Sequence, residues 1–164
     1  MVAKVNTPCY HVLVTSDYKG VFFMKLNPDC VRDTLCSLEL MLGINISTRI
    51  SDPKFSFLYA TPHGVTERLA ASKTVYSEED VLYTLIQLSL SGFIVSDFFH
   101  NARGQIALER ILFISPRGHD LLASIHDDET WKKKIRPVLR KLSSISLSAI
   151  ETVATSVITS ALLG

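Results

Sequence analysis

The stretch SEEDVLYTLIQLSLSGFIVSDFFHNARGQIALERILFISP, residues 77–116, decides the fold. Ser77 is an N-cap, and Glu78, Glu79 and Asp80 place negative charge on the positive end of the helix it opens. Val81, Leu85 and Leu88 recur at helical spacing, flanked by Leu82, and Gly92 supplies the stop. After Gly92 the period changes from helix to strand. Residues 93–99 and 106–114 are rich in β-branched and aromatic side chains, with a polar segment between them and a turn near Arg103-Gly104. Ser115-Pro116 is a second cap followed by a first-position proline, and it opens a helix through Leu121, Leu122 and Ile125.

Upstream, Asn27-Pro28-Asp29 starts an amphipathic helix over residues 28–42, carried by Val31, Leu35, Leu38 and Leu42 and stopped at Gly43. Asp52-Pro53 and Thr61-Pro62 bracket a short apolar run at 55–60, and a short helix over 64–72 holds Val65, Leu69 and Ala70. Residues 10–26, YHVLVTSDYKGVFFMKL, carry a hairpin pattern. Downstream, Asp127, Asp128 and Glu129 begin a helix with Trp131, Ile135, Val138 and Leu142 inward, which Pro137 must kink or interrupt. Residues 143–163 repeat Leu147, Ile150, Ala154, Val157 and Ala161 at helical spacing. The order helix, short helix, helix, hairpin, helix predicts an α+β, mainly helical chain: a winged helix-turn-helix domain with an additional C-terminal helical extension. On this reading residues 1–23 are an N-terminal extension, 24–126 the winged-helix domain and 127–164 the extension. Leu35, Leu85, Leu88, Phe93, Leu112, Leu121 and Trp131 are its expected core.

At 164 residues the chain has the size of one domain, and an apolar fraction of 47% excludes a disordered or linker-dominated chain. Seventeen basic against sixteen acidic residues leave a net charge of +1, so no global field draws in nucleic acid. Cys9, Cys30 and Cys36 are odd in number and lack a C-x-x-C pair, which fits neither a disulfide framework nor a zinc knuckle. With no basic segment leading into an apolar one at the N-terminus, the expected location is the cytoplasm.

Several motifs resemble, in order, a family of small winged-helix proteins from Gram-positive bacteria and their phages that is catalogued as a domain of unknown function. They are Met24-Lys25-Leu26-Asn27-Pro28-Asp29-Cys30-Val31-Arg32-Asp33, Tyr76-Ser77-Glu78-Glu79-Asp80-Val81-Leu82-Tyr83, Leu90-Ser91-Gly92-Phe93-Ile94, and Ser115-Pro116-Arg117-Gly118-His119-Asp120-Leu121-Leu122. Ile125-His126-Asp127-Asp128-Glu129-Thr130-Trp131 and the Ser-rich apolar end continue the series. The resemblance runs from about Met24 to the C-terminus and implies a winged-helix fold in a phage or prophage setting, without an activity. Lys19-Gly20-Val21 can be encoded by AAGGAG, a ribosome-binding sequence, shortly before Met24. Residues 1–23 are then either an untranslated leader read through from an upstream start or a genuine hairpin.

No catalytic constellation stands out. The chain has no phosphate-cradling Gly-rich loop, no G-x-S-x-G and no H-E-x-x-H, so it is read as a non-enzyme without metal or cofactor. His119 and His126, two helical turns apart, are too distant to chelate one ion. For nucleic acid, no Lys or Arg occurs from Thr74 through Ala102, and the outward face of the 78–91 helix offers Glu79, Tyr83, Gln87 and Leu90. The candidate phosphate contacts are therefore Arg103 at the wing tip and Lys132, Lys133, Lys134, Arg136 and Arg140, with Lys141, after Trp131. The alternative for that run is a solvated helix face balancing Asp127 to Glu129. After Lys141 the sole charge is Glu151, and the Ser and Thr content argues against a membrane span. Ile150, Val153, Val157 and Ala161 are the expected self-association stripe, with packing on the chain's own domain as the alternative. Two roles follow: a phage-associated regulator with weak, phosphate-dominated DNA binding, or a protein-interaction module on the same scaffold that binds no DNA and forms a homo-oligomer.

Overall fold

The computed structural model describes residues 25–49, 59–73, 76–100, 102, 104 and 106–163. The expected hairpin at 10–26, apart from Lys25 and Leu26, which are not in a strand, and the phosphate candidate Arg103 lie outside the described residues. The chain is α+β and mainly helical, with one two-stranded antiparallel sheet among the described residues.

Helix α1, Pro28–Arg49, starts where the cap signal puts it, with Asn27 Oδ1 accepting from the backbone of Asp29 at 3.0 Å. It continues through Gly43 instead of stopping there. A glycine inside a helix costs only about 1 kcal/mol relative to alanine; without a left-handed turn to follow, it does not terminate the helix. Helix α2, Pro62–Ala71, begins two residues earlier than expected because Thr61 caps it, accepting from Gly64 N at 3.1 Å, and Pro62 takes the first position. Helix α3, Glu78–Leu90, is capped by Ser77. It ends in a Schellman turn: Gly92 sits at φ +76°, Phe93 N donates to Leu88 O and Gly92 N to Ser89 O.

Strands β1, Ile94–His100, and β2, Ile106–Ile114, form the expected hairpin. Val95 faces Phe113 while Ser96 faces Ile111, so Leu112 is the extra residue of a bulge. That corrects its expected core position. Leu112 is half-buried and Ile111 is the buried residue, because the bulge shifts the alternation by one. Ile111 also pairs with Ala60 in an isolated antiparallel bridge, the described end of the apolar run at 55–60.

Helix α4, Pro116–Ile125, is followed by α5, Asp128–Thr130, a π-helical turn, Trp131–Ile135, and α6, Arg136–Leu139. Pro137 accounts for the π turn. It lacks an N–H and crowds the carbonyl four residues back, and the preceding turn widens so that Arg136 N reaches Trp131 O, five residues back. Widening changes the phase. Trp131, Ile135 and Leu139 face inward, whereas Val138 and Leu142, expected inward, are exposed. Helix α7, Leu147–Leu163, packs Leu147, Ile150 and Ala154 against α4, α6 and the π turn.

Apart from Leu112, every expected core residue is buried, and a single cluster spans α1 to α7. The boundary drawn at residue 126 is therefore not a break in packing.

Candidate nucleic-acid interface

In the winged-helix order expected from the sequence, helix α3 would be the groove-reading helix. Its first turn exposes Glu78 and Glu79, beside half-buried Asp80, with no cation among the described residues of α3 or β1 to offset them. Tyr83 and Gln87, the side chains that could meet base edges, are half-buried. They line a cleft of about 450 Å³ with Leu26, Arg117, Ile145 and Leu147, and Tyr83 and Ile145 both pack on the core. Leu90, 73% exposed, completes the outward face with an apolar group.

Ion pairs engage half of the basic run. Lys132 pairs with Asp128 at 2.7 Å and Lys133 with Glu129 at 2.9 Å, each acid four residues before its base, the favourable order along a helix. Arg136 donates to Asp29 on α1 at 2.6 Å. Lys134 and Arg140, with Lys141, are exposed and make no ion pair among the described residues. Half of this six-residue run thus has its charge engaged, three of the five cations expected there to meet phosphate among them.

The motif residues that run through the sequence meet one another and hold the helices together. Arg32, with a side chain 14% exposed, donates to Ile125 O at 2.9 Å, His126 O at 2.8 Å and Asp128 at 2.6 Å. It also lies over the Trp131 ring. Asp29 accepts from Trp131 Nε1 at 2.9 Å, and Asp33 accepts from the Tyr76 hydroxyl at 2.7 Å. On the opposite side of the sequence, Ser115 Oγ lies 2.7 Å from Gly92 O and accepts from Gly118 N. Arg117 covers the Phe93 ring at 4.3 Å, donates to Ser91 O and forms a two-bond ion pair with Glu151 at 2.6 and 3.0 Å. Adjacent motifs in space are distant in sequence, and what they share is packing.

The titratable groups behave accordingly. Hydrogen bonds from Arg117 hold the Glu151 carboxyl below its ordinary value, and the Thr130 N–H does the same for Asp127. Lys132 and Arg32 lower Asp128. Burial raises the Cys30 and Cys36 thiols, which keeps them protonated and poor nucleophiles. The described residues include no group of three or more potential metal ligands and no helix long and apolar enough to cross a membrane.

The self-association stripe is divided. Ile150 is buried within the chain's own core, which removes it from any partner surface. Val153 and Val157 are half-buried at the edge of α7, and Ala161 is exposed. The Ser/Thr face of α7 legible in the sequence, Thr152, Thr155, Ser156, Thr159 and Ser160, is exposed, and the residue missed from sequence is Val138, which lines a groove with Thr152, Ser156 and Ser160. Its signal was Pro137, whose effect on helix phase turns Val138 outward.

Compared with protein-family models, curated proteins and solved structures, the chain matches none of them.

Proposed function

We propose that the chain is a winged helix-turn-helix domain, extended by C-terminal helices, that works as a non-enzymatic protein-interaction module and does not read DNA through α3. The helix order, the β1–β2 hairpin and the Ala60–Ile111 bridge support the winged-helix reading. The outward face of α3 carries the functional one: carboxylates stand where phosphates would approach, and Tyr83 and Gln87 are half-buried beside the connection into α7. Specific groove reading needs exposed donors aimed at base edges. From the sequence resemblance, the partner would be a regulatory protein of a phage or its host.

A second reading rests on Lys134, Arg140 and Lys141, exposed and unpaired among the described residues. They favour loose phosphate contact, with Arg103 as a further candidate. Fluorescence anisotropy with random and defined duplexes separates the two. The module reading expects binding no tighter than about 10⁻⁴ M at physiological salt, without sequence preference. Micromolar, salt-sensitive binding that weakens alike on every sequence after charge reversal at Lys134 and Arg140 favours the second. Sequence-selective binding lost in Tyr83→Ala and Gln87→Ala would overturn the proposal.

A further inference from the structure

We propose that the loop joining α6 to α7 is a phosphorylation site, with the Ser143 hydroxyl as the acceptor for a serine kinase that reads basic residues before its target. This goes beyond the module reading and does not depend on it.

Most hydroxyls around this loop are already committed. Thr152, Thr155, Ser156, Thr159 and Ser160 each donate to the carbonyl four residues back, inside a helix that no kinase cleft accepts. Ser77, Ser115 and Ser146 accept from backbone N–H groups as helix caps. Ser143 and Ser144 do neither. Both are exposed, belong to no helix or strand, and make no hydrogen bond through side chain or backbone among the described residues. Buried Leu139 and Leu147 fasten the chain on either side, so an enzyme can engage the loop without undoing the core.

Charge marks Ser143 among these serines. Arg140 and Lys141 stand three and two residues before it, exposed and without an ion pair among the described residues. The spacing Arg-x-x-Ser or Arg-x-x-Thr occurs once in the 164 residues, at Arg140 and Ser143. A guanidinium with no partner to give up can pair with carboxylates of a kinase's substrate cleft. To extend the segment, the kinase need open only the frayed end of α6, closed by Lys141 N to Val138 O and Leu142 N to Leu139 O, each at 3.1 Å. The Ser143 oxygen then attacks the γ-phosphorus of MgATP and the bond from that phosphorus to the β–γ bridging oxygen breaks. ADP leaves, and the hydroxyl proton passes to the kinase's catalytic aspartate.

The fold can hold the product. The phosphoryl group adds about two negative charges beside Arg140 and Lys141. It also stands just before α7, a helix with no acid in its first turn, at the end that favours negative charge. Net charge moves from +1 to about −1. If the chain touches nucleic acid loosely through Arg140 and Lys141, phosphorylation occupies both and releases it.

The test incubates the folded full chain with MgATP and the catalytic subunit of cyclic-AMP-dependent protein kinase, and maps phosphate by mass spectrometry. A single phosphoryl group on Ser143 is expected, absent from Ser143→Ala. Arg140→Ala should slow its formation at least about tenfold without changing the melting curve, since that side chain is exposed. The phosphorylated chain should melt no lower than the parent. Phosphate on other residues only, labelling that requires prior unfolding, a rate indifferent to Arg140, or a lowered melting point would overturn the inference. None of these results touches the module reading, which duplex binding decides separately.

Discussion

Gly118 lies in the first turn of α4, where a Cβ would come within 2.0 Å of Phe93 O and 2.6 Å of the Ile114 Cγ2 methyl. Real Cβ contacts do not fall below 3.0 Å, and the nearer atom is backbone, so Gly118→Ala must push α4 away from Phe93 by about 1 Å. Three hydrogen bonds lie in the path: Ser115 N to Phe93 O at 3.0 Å, Ser115 Oγ to Gly92 O at 2.7 Å, and Gly118 N to Ser115 Oγ at 3.1 Å. Each is worth about 1 kcal/mol, and overpacking adds about 1–3 kcal/mol. Alanine returns up to about 1 kcal/mol through helix propensity. The net expectation is a loss of roughly 2–4 kcal/mol if part of the bonding survives. For a chain of this length that lowers Tm by roughly 5–15 °C. Urea unfolding followed by fluorescence of Trp131, the single and buried tryptophan, reads the loss directly. Gly64→Ala is the milder comparison: its Cβ would stand 3.2 Å from Thr61 Oγ1, a side-chain atom that need give only a few tenths of an ångström, so the loss should be smaller than at Gly118. A neutral or stabilised Gly118→Ala protein would refute the close approach of α4 to the end of α3.

Arg32→Met should cost roughly 2–4 kcal/mol, because Ile125 O and His126 O lose their donor and Asp128 loses one of its two cations. An unchanged urea midpoint would show that Arg32 does not join α1 to α5. Acid should destabilise the fold: the carboxyls of Asp127, Asp128 and Glu151 are lowered in the folded state, so the unfolded chain binds more protons. Stability present above pH 4.5, the ordinary glutamate value, is then lost as pH falls through the lowered folded values. Glu151→Gln should flatten part of that slope, and a midpoint constant down to pH 3 in the parent protein, well below about pH 4, would contradict the assignment.

The element boundaries that were legible in the sequence are those set by local chemistry. Asn27-Pro28, Ser77 and Ser115-Pro116 cap helices because their side chains reach backbone N–H groups two or three residues away. Gly92 ends α3 because a left-handed residue is needed at that one position. Such signals act within one turn, so a single sequence carries them in full. The interlocking of Arg32 with Asp128, of Asp29 with Trp131, and of Arg117 with Glu151 was not legible, since each pair is dozens of residues apart.

Amino-acid order alone determined where α1, α3 and α4 begin, the caps that hold them, and most of the core, because hydrophobic period and capping are local properties. Tertiary structure decided the inward face where that local pattern is interrupted. The bulge at Leu112 and the π turn ahead of Pro137 each shift the inward set by one residue, exchanging Leu112 for Ile111 and Val138 for Leu139. It decided as well that Arg136 faces Asp29 on α1 and that Ile150 lies inside. A side chain's periodicity specifies a face, but only the neighbours packed against that face determine whether it is core, ion pair or open surface.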